Sequence, residues 1–288
     1  MYRIALPNKG RLAEDARALF TDAGLEVRVH GDRALSAALG RGDQFQAIFV
    51  RAEDIPEFVA DGAAELGVTG WDLVAESERE VDCLLDLQFG RCRLAVAAAE
   101  DGVIRSVGDI PRGSRVATTF PRLTRAFFDA SQLPIEIVPV SGAAEIAPHL
   151  GIADIIVDLV STGSTLRVNG LREIATVCES SARLIAGGAA RSNGDGRVIR
   201  ELVSALESVV RAKGQRYLMA NVPRAALGSV KDILPGLNGP TVVDILNGGD
   251  HVAVHAVVGA GDIYRTIAQL QSLGATGLLV TRIERLVP

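Results

Sequence analysis

The chain is poor in the residues that build metal and redox centres. Its 288 residues include three cysteines and four histidines. Cys83, Cys92 and Cys178 are scattered and form no CxxC pair, which excludes a zinc or disulfide framework on spacing and leaves reduced thiols. His30, His149, His251 and His255 do not cluster. His251 and His255 share one face of an alternating, strand-like stretch, but with no Cys or acid beside them they make a poor metal site. There is no basic excess: 30 Lys and Arg stand against 35 Asp and Glu, for a net charge of −5. That speaks against a nucleic-acid-binding surface. No apolar run reaches the roughly 18–20 residues of a membrane helix. The N-terminal "MYRIALPNKGRLAED" has nothing like the roughly 7–15 apolar residues of a signal peptide. These absences make the cytoplasm the expected compartment. No Ser-His-Asp or Cys-His set is visible.

What is present is an ordinary globular composition, 48% hydrophobic and 23% charged, in a chain long enough for two domains. Residues 2–6 read as a strand. Residues 11–24 read as a helix carrying Leu12, Ala16, Leu19 and Phe20 on one face and closed by Gly24. "FQAIFV" is a strand, "DIPEFVADG" a short helix with Asp54 as its cap, and "AELGVTG" a strand entering a turn. This alternation predicts a mainly parallel, helix-covered sheet. From Arg91 onwards a second unit repeats it: strands "RCRLAVAAA", "SRVATTF", "IEIVPV" and "ADIIVDLV", with a helix opening at Pro121 and a short one in "GAAEIAPHLG". "EIATVCESSARLIAG" reads as two more strands. "GGAARSNGDG" reads as a flexible loop, and an amphipathic helix follows, with Val198, Leu202, Leu206 and Val209 or Val210 on one face. After Gly214 the order becomes βαββαβ, with "PRAALGSVKDIL" as a helix opening with Pro and "NGGD" as a hairpin turn.

The stretch "DIIVDLVSTGSTLRVNGL", residues 154–171, carries the chemistry. A turn after a buried strand of an open sheet lies at the strand's carboxyl end, where such folds bind ligands. Backbone N–H groups around Gly163, with the hydroxyls of Ser161, Thr162, Ser164 and Thr165, can wrap a phosphate. Asp154 and Asp158 are four apart and project to one side of the strand. Acids beside a phosphate cradle suit a ribose whose hydroxyls donate to them, or a Mg²⁺ between acid and phosphate. A ribose 5-phosphate meets both demands. The plain alternatives are a polar turn, and a structural salt bridge for one of the acids. Lys9, Gly10 and Arg11 put cations in a turn after the first strand, where they could hold phosphates or could simply be solvated. Arg51, Thr69, Gly70 and Asp72 occupy similar strand-end positions. Trp71, the only tryptophan, reads as core rather than as a base-stacking platform. Arg122 and Arg125 read as surface charges.

The acids followed by a Thr-Gly-x-Thr-type turn resemble the 5-phosphoribosyl pyrophosphate (PRPP) loop of phosphoribosyltransferases. The full run is similar to the ATP phosphoribosyltransferase family. So are "ALPNKGRL" at 5–12, "DIPEFVADGAAELGVTGWD" at 54–72, "ATTFPRLTRAFF" at 117–128, "SGAAEIAPHLGIADIIVDLVSTGSTLRVNGL" at 141–171 and "SARLIAG" at 181–187. The resemblance implies an α/β, bilobal catalytic unit like the type II periplasmic binding proteins. Lobe I would comprise residues 1–89 with 180–211, and lobe II residues 90–179 with the PRPP loop. A βαββαβ, ferredoxin-like (ACT-like) regulatory domain would follow at 212–288. The implied reaction joins the phosphoribosyl group of PRPP to N1 of ATP, in the first step of histidine biosynthesis.

Carried over residue by residue, the resemblance implies PRPP contacts from Glu145, Asp154, Asp158, Ser161, Thr162, Gly163, Ser164 and Thr165. ATP contacts would come from Lys9, Gly10, Arg11, Arg51, Thr69, Gly70 and Asp72. Asp154, Asp158, Lys9 and Arg11 would carry catalysis. Mg²⁺ is the implied cofactor, carried by the diphosphate without dedicated protein ligands. The tail implies feedback inhibition by L-histidine through Asn221 and Thr241, a dimeric or hexameric homo-oligomer, and no separate regulatory subunit. Asn221 stands where an acid is expected, and "LNGGDH" replaces a more acidic loop, both of which weaken an ammonium site. Two other readings fit the same features: a bilobal small-molecule sensor, or a PRPP-dependent transferase acting on another base.

Overall fold

The computed structural model describes residues 1–28, 34–42, 44–188, 190, 196–246 and 249–287. It divides into two compact units, Met1–Thr21 with Leu25–Ile199, and Asp22–Gly24 with Arg200–Pro288. His30 and most of the "GGAARSNGDG" loop lie outside the described residues, as do Asn247 and Gly248 of the hairpin turn.

The first unit holds two sheets. One contains β1 (Tyr2–Pro7), β2 (Val27–Arg28), β3 (Ser36–Leu39), β4 (Phe45–Val50), β5 (Leu66–Gly70), β6 (Asp82–Asp86) and, from much later in the chain, β12 (Ala182–Ala186). Their order is β2-β3-β4-β1-β5-β12-β6. β1 is central, flanked by parallel partners on both sides, so its residues Ile4, Ala5 and Leu6 are apolar without alternation and fully buried. Helix α1 (Arg11–Asp22) buries Ala13, Ala16, Leu19 and Phe20 on one stripe. Helices α2 (Ile55–Ala60) and α3 (Trp71–Ser77) follow β4 and β5. The second sheet contains β7 (Cys92–Ala99), β8 (Arg115–Thr118), β9 (Glu136–Pro139), β10 (Ile155–Val160) and β11 (Leu171–Ser180), in the order β11-β7-β10-β8-β9. Helices α4 (Pro121–Ala130) and α5 (Ser164–Val168) belong to it. β10 feeds a separate apolar cluster on each face, Ile156 and Val160 on one, Ile155 and Val157 on the other.

Both sheets are mixed rather than mainly parallel. β12 runs antiparallel to β5 and β6, and β7 runs antiparallel to β10 and β11. For β12 the cause is connectivity: the chain leaves the first sheet after β6 and returns to it at β12, so the returning strand enters from the opposite end; on the other side β3 runs antiparallel to both β2 and β4. The helix expected in "GAAEIAPHLG" is only a 3-10 turn, Ala144–Ile146. Ala143 sits at φ 51° before it, and Pro148 follows with no N–H to extend it. Asp54 does not cap α2 through its side chain. It lies in a 3-10 turn, its carboxylate 3.9 Å from Arg51.

The second unit carries β13 (Gln215–Pro223), β14 (Thr241–Asp244), β15 (His251–Gly259) and β16 (Thr276–Arg282) in the order β14-β15-β13-β16, every pair antiparallel. With α7 (Leu227–Ile233) and α8 (Ile263–Ser272) this is the βαββαβ order. Pro223 ends β13 and a 3-10 turn separates it from α7, so the proline does not open that helix. One sheet face is core, built from Leu218, Ala220, Val222, Val252, Val254, Ala256 and Val258. The boundary between units falls inside α6 (Gly196–Ala212), earlier than the 211/212 limit read from the sequence. That helix buries Leu202, Leu206, Val209 and Val210, each worth about 1.5–3 kcal/mol of transfer from water. Among the described residues no helix is long and apolar enough to cross a membrane.

Gly187, just after β12, shows how closely backbones pack here. A Cβ at this position would lie 2.1 Å from the carbonyl oxygen of Val59. Gly187→Ala is expected to destabilise the fold by roughly 1–3 kcal/mol, because a backbone atom cannot rotate away. Urea unfolding at unchanged m-value measures this, and a wild-type midpoint would show that the two segments slide apart without cost.

Candidate active site

The parallel strands β4, β1 and β5 lie side by side, so their carboxyl ends share one sheet edge. Lys9, Gly10 and Arg11 follow β1, Arg51 follows β4, and Asp72 follows β5. β12 starts at the same edge, with Ala182 opposite Gly70 and Arg183 opposite Thr69 and Asp86. In the second sheet Val160 pairs with Arg93 and Ser180 with Cys92. The loop after β10 and both crossovers between the sheets therefore converge. A cavity of about 360 Å³ lies there, lined by Asp86, Arg91, Cys92, Arg93, Ser161, Glu179, Ser180, Ser181 and Arg183.

Its base is a buried polar junction. The Asp72 carboxylate accepts from Ser180 Oγ at 2.5 Å, and the same Oγ accepts from the Asp72 N–H at 2.9 Å. Trp71 N–H donates to the Ser181 carbonyl at 3.0 Å, and Ser181 Oγ donates to Asp86 at 2.8 Å. Arg183 pairs with Asp86 at 3.0 Å and its guanidinium lies 5.9 Å from the centre of the Trp71 ring. Trp71 is half-buried, as a packing residue.

The loop itself matches its sequence. Gly163 has φ 75°, a conformation that strains any residue with a Cβ, and α5 starts immediately after it. Thr162 and Ser164 hydroxyls are 3.0 Å apart. Among the described residues the N–H groups of Thr162 and Gly163 have no acceptor. Exposed hydroxyls and unpaired N–H groups form a concave donor set, the requirement for a phosphate.

The acids separate into two roles. Asp158 is half-buried on the face of β10 shared by Ile156 and Val160. Burial raises its carboxyl above the ordinary 3.8, opposed by the Leu159 N–H it accepts, while the charge of Glu145 raises it further. Asp158 and Glu145 are thus electrostatic neighbours beside the loop. Asp154 is not brought to the loop. It precedes β10, at the amino end, about 13 Å of strand away from Asp158. Its oxygens accept from Arg115 N–H at 2.8 Å and pair with the Arg115 guanidinium at 2.9 Å, which holds the carboxyl below its ordinary range. This is the structural salt bridge that the sequence left open for one acid.

The nucleotide-side candidates also divide. Lys9 and Arg11 are exposed and carry no ion pair among the described residues. Arg51 is within 4 Å of both Glu53 (3.8 Å) and Asp54 (3.9 Å). Thr69 is fully buried, its hydroxyl donated to the Ala52 carbonyl at 2.7 Å. Gly70 and Asp72 are buried as well, so these three shape the floor instead of facing a ligand. Arg122 is used in holding the end of α3, donating to the carbonyls of Glu76 and Ser77. Sequence reading missed Arg93, Arg183, Ser180 and Asp86, since nothing in their local spacing shows that two crossovers meet.

In the second unit Asn221 and Thr241 lie on the sheet face not covered by α7 and α8. Thr241 pairs with His255 and Asn221 with Ala253, two strands apart. Tyr217 and His255 share this face, joined by a 2.7 Å hydrogen bond.

Two α/β lobes joined by two crossovers, with a phosphate-type loop at the junction, define a bilobal unit like the type II periplasmic binding proteins. In agreement, the ligand-binding core of a glutamate receptor from Nostoc punctiforme superposes with TM-score 0.50 at 18% identity, covering 74% of this chain and 94% of that one. The chain belongs to the ATP phosphoribosyltransferase family: the model of that family matches residues 51–208, and the model for its C-terminal domain matches residues 212–285. An ATP phosphoribosyltransferase of Gemmatimonas aurantiaca is 65% identical over 294 residues and all of both chains. One of Haloarcula marismortui is 48% identical over 99% of each. A chain of the ATP phosphoribosyl transferase (HisG:HisZ) complex of Thermotoga maritima superposes with TM-score 0.63 at 25% identity, covering 73% of this chain and 99% of that one. The family is one of glycosyltransferases, acting at the first step of histidine biosynthesis.

Two titrations test the site. Because the Asp158 pKa is raised in the fold, its charged form costs stability above that pKa, and the cost disappears as pH falls through it. Asp158→Asn should therefore be more stable than the parent at pH 7, show no advantage at acid pH, and be less active. An equal loss of stability at both pH values would show that the carboxylate is structural. The Cys92 thiol is pushed up to about 11 by burial and then by the charge of Asp72. At pH 8 exposed Cys83 should alkylate first, with the Cys92 rate still rising towards pH 11. Equal rates at pH 8 would mean that the junction opens freely.

Proposed function

We propose that the chain transfers the phosphoribosyl group of PRPP to N1 of ATP, and that the loop at residues 161–165 holds the 5-phosphate. The observation that carries this reading is a turn with unpaired N–H groups and exposed hydroxyls, next to a half-buried acid pair, at the junction of two lobes. The adenine N1 attacks C1 of the ribose while diphosphate leaves, with inversion and no covalent intermediate. Positive charge grows on the ribose. Asp158, whose burial disfavours a lone negative charge, gains from a cation placed beside it. Glu145 acts with it. Lys9 and Arg11, which have no ion pair among the described residues, hold polyphosphate. Asp154 holds the strand's far end through Arg115.

Among the described residues no three His, Cys, Asp or Glu side chains gather as a metal cage. Mg²⁺ would arrive on the diphosphate, taking its oxygens from phosphates and water without dedicated protein ligands, and would neutralise the departing group. The C-terminal unit is read as a histidine sensor through Asn221 and Thr241 in a homo-oligomer, in the cytoplasm and without a separate regulatory subunit.

Formation of the N1 adduct from ATP, PRPP and Mg²⁺ is followed by ultraviolet difference absorbance, with and without L-histidine. Adduct suppressed by histidine is the expected result. Adduct insensitive to histidine would keep the transferase and remove the sensor, and no adduct would remove both. Thr165→Val should raise the KM for PRPP about tenfold with little change for ATP, the scale of one hydrogen bond to a charged group.

A further inference from the structure

We propose that Arg93, held by Glu173, is a positioning residue that sets the orientation of the loop at residues 161–165; this rests on the reading of that loop as the PRPP phosphate cradle. Arg93 uses its guanidinium in two directions. Nε and Nη2 fork onto the Glu173 carboxylate at distances of 2.6–2.9 Å, and Nη1 donates to the carbonyl oxygen of Ser161 at 3.3 Å. Thr176 Oγ1 adds a third donor to Glu173 at 3.2 Å, from the part of β11 where the register with β7 shifts. Pairing with Arg93 holds the Glu173 carboxyl below its ordinary range, so the clamp stays charged. Both side chains are about one-third exposed or less, at 35% and 26%, and Arg93 lines the cavity together with Ser161.

The consequence follows from peptide geometry. In a trans peptide the C=O and the N–H of the next residue point in opposite directions. No cis bond occurs among the described residues. Fixing the Ser161 carbonyl on Arg93 therefore turns the Thr162 N–H away from the β7 side, and that N–H has no acceptor among the described residues. Gly163, at φ 75°, then reverses the chain into α5. Without Arg93 the peptide between residues 161 and 162 could rotate and withdraw a donor from the phosphate. The planar fork of arginine reaches both partners at once, whereas a lysine ammonium of the same charge cannot hold Glu173 in a fork and the carbonyl together.

The test compares Arg93→Lys with the parent and with Thr165→Val, measuring KM for PRPP and for ATP at saturating Mg²⁺, together with PRPP binding by equilibrium dialysis and the thermal midpoint. Arg93→Lys keeps the charge pair, so a purely structural arginine would leave PRPP affinity unchanged. The expected result is a rise of about tenfold in both KM and dissociation constant for PRPP, with ATP within about twofold of the parent. If Thr165→Val weakens PRPP but Arg93→Lys does not, the loop reading stands and the positioning role is refuted. If Thr165→Val leaves PRPP unaffected, the loop is not the cradle and both fall. Should Arg93→Lys fold poorly, Glu173→Gln, which frees the fork while leaving Arg93 in place, must weaken PRPP in the same selective way, and parental values would refute the proposal.

Discussion

The double crossing of the chain between two sheets is the constraint on which everything else depends. Residues 87–91 and Ser181 carry the chain across, and a buried carboxylate fixes the second passage. Asp72 receives the Ser180 hydroxyl and gives its own N–H to the same oxygen, across 108 residues of sequence. A charge this buried is tolerable only when hydrogen-bonded, so the pair specifies where β11 ends and β12 begins. From that point β12 enters the first sheet antiparallel to β5. It also sets Cys92 and Arg93 beside the loop that follows β10.

The electrostatics of the site follow from the same junction. Arg183 and Asp86 neutralise each other at its base, as do Arg93 and Glu173 towards the second sheet. Among the described residues Lys9 and Arg11 are left without ion pairs, and Asp158 with Glu145 is left as an acid pair without a cation. A cation group at the end of β1 and an acid pair beside the loop after β10 are features that a substrate with a polyphosphate and a positively charged transition state can complete. Stability is given up for it at Asp158, whose burial opposes its own charge.

The strands were legible where the sequence carries apolar runs, buried on both faces in β1 and in the first half of β10, and alternating in burial along β4. The short strands β2 and β3 and the half-exposed edge strand β6 carry no such run and were not recognised. The turn at residues 161–165 was legible because Gly163 and its flanking hydroxyls are local in sequence. The pairing of Asp154 with Asp158 misled: equal parity on a strand means a common side, but four residues is also a long distance along it, and Arg115 on the neighbouring strand claims the nearer acid. Thr69, Gly70 and Asp72 end a strand at the correct edge, yet burial turns them into floor.

The sequence by itself determined where a glycine turn flanked by hydroxyls follows a strand, which helices have an apolar stripe, and the βαββαβ order of the tail, since each depends on neighbours within a few residues. Only the tertiary structure decided which acid meets the loop, which arginines are already neutralised, and that Arg93 reaches the Ser161 carbonyl. Those outcomes depend on strand order and direction. They are set by contacts among segments as much as 108 residues apart, and no local period records them.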